Sequence, residues 1–265
     1  MRFLIFFILS SAVFSQNFLY KFDDTEVYRV EIKGEGNYCY QQQKPSDFIA
    51  NLRCNLLLKK EKKEKNTFSL KLEARKVFAS VNGMVLEDIT HSETLISKLI
   101  PSVRIKIKEN GEIIKTEQIS EGMIDISPLL KFFPVFPKKI YKNHRWMQKI
   151  PSFNFPGLPM SSLQFWYIYR GKAKNLHQFE VFSNQFIKEK KKKQDITVNF
   201  RGINKTEGTL LFDKEKGEIK SMEGISNLHL KIIFTMPSSP ENKKKKFETL
   251  PLTLKLKIKF LLEKI

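Results

Sequence analysis

Cysteine, tryptophan and histidine are scarce in this chain of 265 residues, with two, two and four copies, and acidic residues number 28 against 47 lysines and arginines. Each shortage excludes something. Two cysteines, Cys39 and Cys54, permit at most one disulfide and supply neither a CxxC pair nor the Cys/His cluster of a zinc site. His91, His144, His177 and His229 are scattered without metal-ligand spacing, and the chain has no nucleophile elbow, HExxH, P-loop or glycine-rich dinucleotide fingerprint. Asp23 and Asp24 are adjacent, so in a strand they face opposite sides, whereas acid–base work needs convergent carboxylates. The expectation is therefore a non-enzyme with no catalytic residues, no metal and no cofactor. Beyond the N-terminus no apolar run reaches the 18 or so residues of a membrane-spanning helix.

What the chain has in abundance is alternation. Leu252, Leu254, Leu256, Ile258, Phe260 and Leu262 fall on every second position, with Thr253, Lys255, Lys257 and Lys259 between them. Successive strand side chains point to opposite faces, so this stretch predicts a half-buried antiparallel strand with one oily face and one cationic face. The same period recurs from Tyr20 to Tyr40, from Leu52 to Leu58, from Phe68 to Val81 and in several stretches between Leu163 and Phe234. Asn82-Gly83 and Asn110-Gly111 favour tight hairpin turns. The fold class expected is mainly β: antiparallel meander sheets, curved as a half-barrel or packed as a sandwich. One or two short helices join them, over Thr90–Ile100 and near Leu129–Phe133.

Residues 1–15 carry one charge at Arg2, an apolar run and then small residues, which predicts a secretory signal peptide and export to a periplasm or the exterior. In an oxidising compartment, Cys39 and Cys54 read as a disulfide, with two buried free thiols as the alternative. Residues 127–160 hold six of the eleven prolines together with Phe132, Phe133, Phe136 and Trp146. Proline is excluded from central strands, so this stretch is expected to connect two lobes, 16–126 and 161–265. As an apolar connector it must pack on something: either as a lid at a cavity mouth, with those four aromatics against a ligand, or as plain interlobe filling. The segment beginning Asn110-Gly111-Glu112-Ile113 is echoed by Lys216-Gly217-Glu218-Ile219 at a constant offset, which suggests two related lobes.

The formal charge of +19 favours anionic partners, an envelope surface or lipid headgroups above all. Three lysine runs, 59–65, 188–193 and 243–246, read as solvated hairpin loops. Nucleic acid is not expected, because alternation places aromatics on the face opposite the lysines. Asn204-Lys205-Thr206 forms a glycosylation sequon.

Together the signal peptide, the Tyr20-x-Phe22 opening, the turns at Asn110-Gly111 and Lys216-Gly217, Trp146 followed by Pro151, and Gly208-Thr209-x-x-Phe212-Asp213 resemble bacterial envelope families of unknown function. Their sheets are similar to the half-barrels of lipoprotein-carrier and lipid-binding periplasmic proteins. That resemblance implies a curved sheet whose concave apolar face holds a lipid or acyl chain. The alternative is a structural or protein-interaction module of the envelope, meeting other envelope proteins, with no ligand cavity.

Overall fold

Alternation this persistent builds strands of unusual length. The computed structural model describes residues 15–40, 43–85, 100–120, 133–150, 153–155, 158–160, 163–193, 196–237 and 247–265, and among them there is no helix. The expected helix at Thr90–Ile100, except Ile100 itself, lies outside the described residues, as do Leu129–Phe132, the last lysine run and residues 1–14 of the expected signal sequence. In chain order the strands are β1 (Thr25–Tyr40), β2 (Ser46–Glu64), β3 (Thr67–Val81), β4 (Met84–Val85), β5 (Val103–Lys108), β6 (Ile113–Gln118) and β7 (Arg145–Ile150). There follow β8 (Phe153–Phe155), β9 (Leu158–Met160), β10 (Leu163–Ala173), β11 (Leu176–Lys193), β12 (Ile196–Asp213), β13 (Glu218–Pro237) and β14 (Phe247–Lys264). At roughly 3.3 Å per residue, the 20 residues of β13 reach about 65 Å.

Twelve of the strands make one antiparallel sheet in the order β6-β5-β3-β2-β1-β14-β13-β12-β11-β10-β7, with β4 attached to β3. The sheet is open and curved: β6 and β7 form its two edges and do not pair. Hairpins connect neighbours on both sides, while the first and last strands meet in the middle, Tyr28–Tyr40 running against Lys264–Leu252. The N- and C-terminal halves therefore share a single sheet, and the proline-rich stretch joins its two edges. Part of that stretch is itself strand: β7 is the edge partner of β10, and β8–β9 form a separate two-stranded hairpin.

The concave face is filled from inside. Phe18, Tyr20 and Phe22 lie in an extended N-terminal strap that crosses the sheet, and each is buried. The strap runs between two turns. The Tyr20 N–H donates to the Glu109 carbonyl (2.6 Å), next to the β5–β6 turn, and the Lys21 N–H donates to the Gly217 carbonyl (2.8 Å), in the β12–β13 turn. Both turns need glycine: Gly111 has φ +93° and Gly217 φ +68°, and a Cβ there would lie 2.4 Å from the Pro134 carbonyl and 2.6 Å from the Lys21 nitrogen, respectively. The echoed segments thus form the two turns that hold the strap.

The expected disulfide does not form. Both cysteines are free. Register explains it: Cys54 lies opposite Val30, so Cys39 sits nine residues (39 − 30) further along β1, about 30 Å away, whereas a disulfide needs Cα atoms within about 7 Å. Burial pushes the Cys54 thiol up to about 11, which keeps it a thiol.

Candidate functional site

The inner face has two apolar fields of different construction. At the closed end, side chains of the sheet meet the strap and residues 133–140 of the connector. Phe136, 1% exposed, packs against Phe18, Tyr20, Phe179 and Phe212 with ring centroids 4.9 to 5.5 Å apart. Phe133 is buried beside Tyr20 and Tyr28, and Trp146 stacks on Tyr167 (5.3 Å, 17°). The Gln148 side chain on β7 ties the connector down: its carbonyl accepts from the Val135 N–H (2.9 Å) and its amide donates to the Phe133 carbonyl (3.0 Å). Of the four aromatics expected at a cavity mouth, Phe133, Phe136 and Trp146 are thus brought together inside an aromatic plug, where they fill space; Phe132 lies outside the described residues.

Further along the same face, a band of polar residues interrupts the apolar surface. Ser226 donates to the Asn204 side-chain oxygen (2.8 Å) and accepts from the Thr206 hydroxyl (3.0 Å). Asn204 and Thr206 are buried and face inward, so the folded protein does not present the sequon for glycosylation. Beyond the band lies the second field: Ile187, Phe200, Leu228, Leu230 and Ile232, flanked by Val198, Phe234, Leu252, Leu254 and Leu256. All belong to β11–β14, and register puts them on one face of those four strands. Its five central residues are 3–6% exposed, so this field is buried as the plug is.

Two buried polar clusters also merit a chemical reading. The first gathers Asp23, Glu26 and Glu218, three carboxylates close enough to hold a metal ion, but the Lys264 ammonium already sits among them, 2.9 Å from Glu26 and 3.6 Å from Asp23, and bonded to Glu218. Tyr28 donates a further hydrogen bond to Glu26 (3.0 Å). Burial opposes the charge of Glu218, but hydrogen bonds from Lys220 and Lys264 outweigh it and hold the carboxyl below the usual range; likewise Lys264 is desolvated, yet its two carboxylate partners hold it above its ordinary value. The group is an ion network that fastens the start of β1, the start of β13 and the end of β14 together.

The second cluster runs from Lys214 through Gln16 (3.3 Å) and Tyr169 (3.2 Å) to His177 (2.7 Å). Since Gln16 donates to the Tyr169 hydroxyl, that hydroxyl donates to Nδ1 of His177. Burial, with Lys214 and Lys172 nearby, lowers the His177 pKa, consistent with a neutral ring that accepts this bond. No nucleophile with an adjacent base lies in this chain of bonds; it secures the beginning of the strap. An open depression of about 470 Å³ adjoins it, and a larger open groove of about 850 Å³ on the outer face is lined by Lys33, Glu207 and Lys259 together with Phe182, Ile225 and Leu261. Both are open to solvent and carry charged groups in their walls, so neither is the enclosed apolar cavity that a lipid carrier requires.

Sequence reasoning found the plug residues and missed the ion network, because Glu26, Glu218 and Lys264 are widely separated in the chain and no local pattern joins them. Compared with family models and with curated proteins, the chain matches none.

Proposed function

We propose that this is a non-enzymatic, exported binding protein of a cell envelope, and that it takes the apolar part of a lipid-like ligand on the far half of its concave face. One observation carries this reading: the field around Leu230 is an extended apolar cluster built from a single face of four long strands, its central members 3–6% exposed and separate from the aromatic plug. Each Å² of such surface kept from water is worth about 25 cal/mol. An acyl chain lying along the strands supplies apolar cover without demanding polar partners.

Native mass spectrometry of the mature protein, purified gently from its secretory compartment and followed by organic extraction, tests the reading. A co-purifying lipid that is lost in Leu230→Ser/Leu254→Ser, with the circular dichroism of the sheet retained, supports it. A clean apo mass together with no uptake of offered fatty acid or phospholipid overturns it. The aromatic plug favours a second reading, a protein-interaction module of the envelope whose sheet is filled by its own side chains, because at the closed end Phe18, Tyr20, Phe133 and Phe136 leave no room for a ligand.

A further inference from the structure

The strands that carry the far apolar field have an opposite, outer face, and register shows what stands on it. Lys188, Arg201 and Lys231 are direct cross-strand neighbours on β11, β12 and β13. One step towards the closed end, Phe186, Ile203, His229 and Lys255 form the next row, and beyond it come the rows of Lys205 with Lys257 and of Lys259 with Lys33. With strands about 4.8 Å apart and rows about 6.7 Å apart, this places eight cations on a surface roughly 20 Å across. Its acids are few: Glu35, paired with Lys257 at 3.3 Å, and Glu207, in the row of Lys259. Arg201, Lys205, Lys231 and Lys255 are exposed and have no ion-pair partner among the described residues.

Edge protection accounts for only part of this field. Among the described strands, β10 covers β11 only as far as Phe182, so the stretch beyond is an edge, where Lys188 and Lys190 discourage pairing with another chain. Arg201, Lys231, Lys255 and Lys259 lie on strands paired on both sides, where that purpose is absent. Like charges facing one another across strands cost stability, so an isolated sheet gains nothing from this arrangement. In the middle of the field stands an apolar pair, Phe186 and Ile203, 77% and 37% exposed. A single aromatic beside an aliphatic side chain gives no succession of stacking platforms for bases, but it suits partial burial at the headgroup boundary of a bilayer.

We propose that the outer face of β11–β14 is a docking surface for an anionic phospholipid bilayer, with the cations on the headgroups and Phe186 and Ile203 in the interface. The proposal stands whether or not the concave face holds a ligand. Co-sedimentation of the mature protein with vesicles of phosphatidylglycerol and phosphatidylcholine, against vesicles of phosphatidylcholine alone, tests it. Binding to the anionic vesicles only is expected, weakening as salt rises. Each Lys or Arg at an anionic leaflet contributes about fivefold to partitioning, so Arg201→Gln/Lys231→Gln/Lys255→Gln is expected to bind on the order of a hundredfold more weakly. Lys106→Gln/Lys108→Gln/Lys115→Gln, which removes the same charge from residues paired to Glu64, Glu112 and Glu117, is expected to change binding less than threefold. In Phe186→Trp, bromine-labelled acyl chains are expected to quench emission beyond the quenching of the parent protein. No binding to anionic vesicles, equal losses in the two triple variants, or tighter binding to a single-stranded oligonucleotide than to the vesicles overturns the assignment, and absence of extra quenching overturns the insertion of Phe186.

Discussion

Two lysine-rich stretches of the same sheet meet opposite fates. Around the β2–β3 turn, at the closed end, Lys60, Lys62 and Lys63 pair with Asp24, Glu64 and Glu109, and Arg104 and Lys106 on β5 reach across to Glu61 and Glu64. Hydrogen bonds from Lys106 and Lys62 lower the Glu64 carboxyl to about 2. Near the other end, Lys188 of β11 faces Arg201, and Arg201 faces Lys231. Both runs read as hairpin loops from sequence, yet both are strand. The inner faces differ in composition: the closed end is packed with aromatics from strap and connector, whereas the far field consists mainly of aliphatic side chains of β11–β14. The closed end neutralises its own charges, and the far end exposes a cationic outer face over a buried apolar one.

The largest break in that comparison should come from the plug. Phe18 is 0% exposed and touches Phe136, Tyr169, Phe179 and Phe212 with centroids under 6 Å. Phe18→Ala removes a buried ring from a closed site and is expected to cost about 4 kcal/mol; Leu230→Ala truncates a smaller side chain that is 4% exposed and is expected to cost about 2 kcal/mol. Urea denaturation of both variants measures the difference. Equal costs would show that the two ends are packed alike, and the contrast would fail.

The ion network gives the next effect. Lys264→Met leaves two buried carboxylates, those of Glu26 and Glu218, without the ammonium between them, a loss of about 3 kcal/mol at neutral pH. The pH dependence has a definite sign. A depressed Glu218 stabilises the fold fully above the unfolded carboxyl value of about 4.3 and ceases to do so as pH falls through its lower folded value; a raised Lys264 stabilises fully below about 10.4 and ceases as pH rises through its higher folded value. The wild type should therefore show no contribution to pH dependence from this pair between about pH 5 and pH 10. In Lys264→Met, Glu218 keeps Lys220 but loses the second ammonium that offsets its burial, so its carboxyl moves up and the deficit relative to wild type should shrink as pH falls from about 7 to about 4. A deficit that stays constant over that range would place the network outside the stability of the fold.

How much of this was legible in the sequence follows from range. Alternation is local, so the strand character of 252–262 and the turns at Asn82-Gly83 and Asn110-Gly111 could be read directly. The echo of Asn110-Gly111 in Lys216-Gly217 marked two real turns, although what they share, a grip on Phe18–Phe22, depends on the first strap crossing the sheet between them. Register between strands leaves no trace in a single chain. It separates Cys39 from Cys54, turns Asn204 inward and lines up Lys188 with Arg201 and Lys231. Trp166, Phe182 and Phe186 show the same limit: the argument that aromatics lie opposite the lysines fails for them, since Arg145 on the outer face sits 3.9 Å from the Trp166 ring and 4.9 Å from Phe182. The sequence leaves the connector either as a lid at a cavity mouth or as filling between lobes, and which of its aromatics fill the plug depends on Gln148 and on the edge position of β7.

The smallest predicted effect sharpens the description of the plug itself. Tyr167 is completely buried under Trp146, and its hydroxyl has no hydrogen-bond partner among the described residues. Burial accordingly pushes its pKa up, since the ionised form would be stranded in the core. An unpaired buried hydroxyl has lost its hydration without replacement, a cost of about 1–3 kcal/mol, whereas removing the oxygen leaves the ring and its stacking in place. Tyr167→Phe should raise the unfolding free energy by about 1 kcal/mol and the melting temperature by a few degrees, with the aromatic near-ultraviolet circular dichroism retained. Tyr169→Phe is the informative contrast, because that hydroxyl bridges Gln16 and His177 and its loss leaves the half-buried Gln16 amide and the buried His177 ring without that partner. If both substitutions lower stability, the Tyr167 hydroxyl has a partner in solution and the closed end is more polar than its packing indicates. If they move stability in opposite directions, the plug is dry at Trp146 and hydrogen-bonded at His177, and the strap is held by hydrophobic packing at one point and by directed bonds at the other.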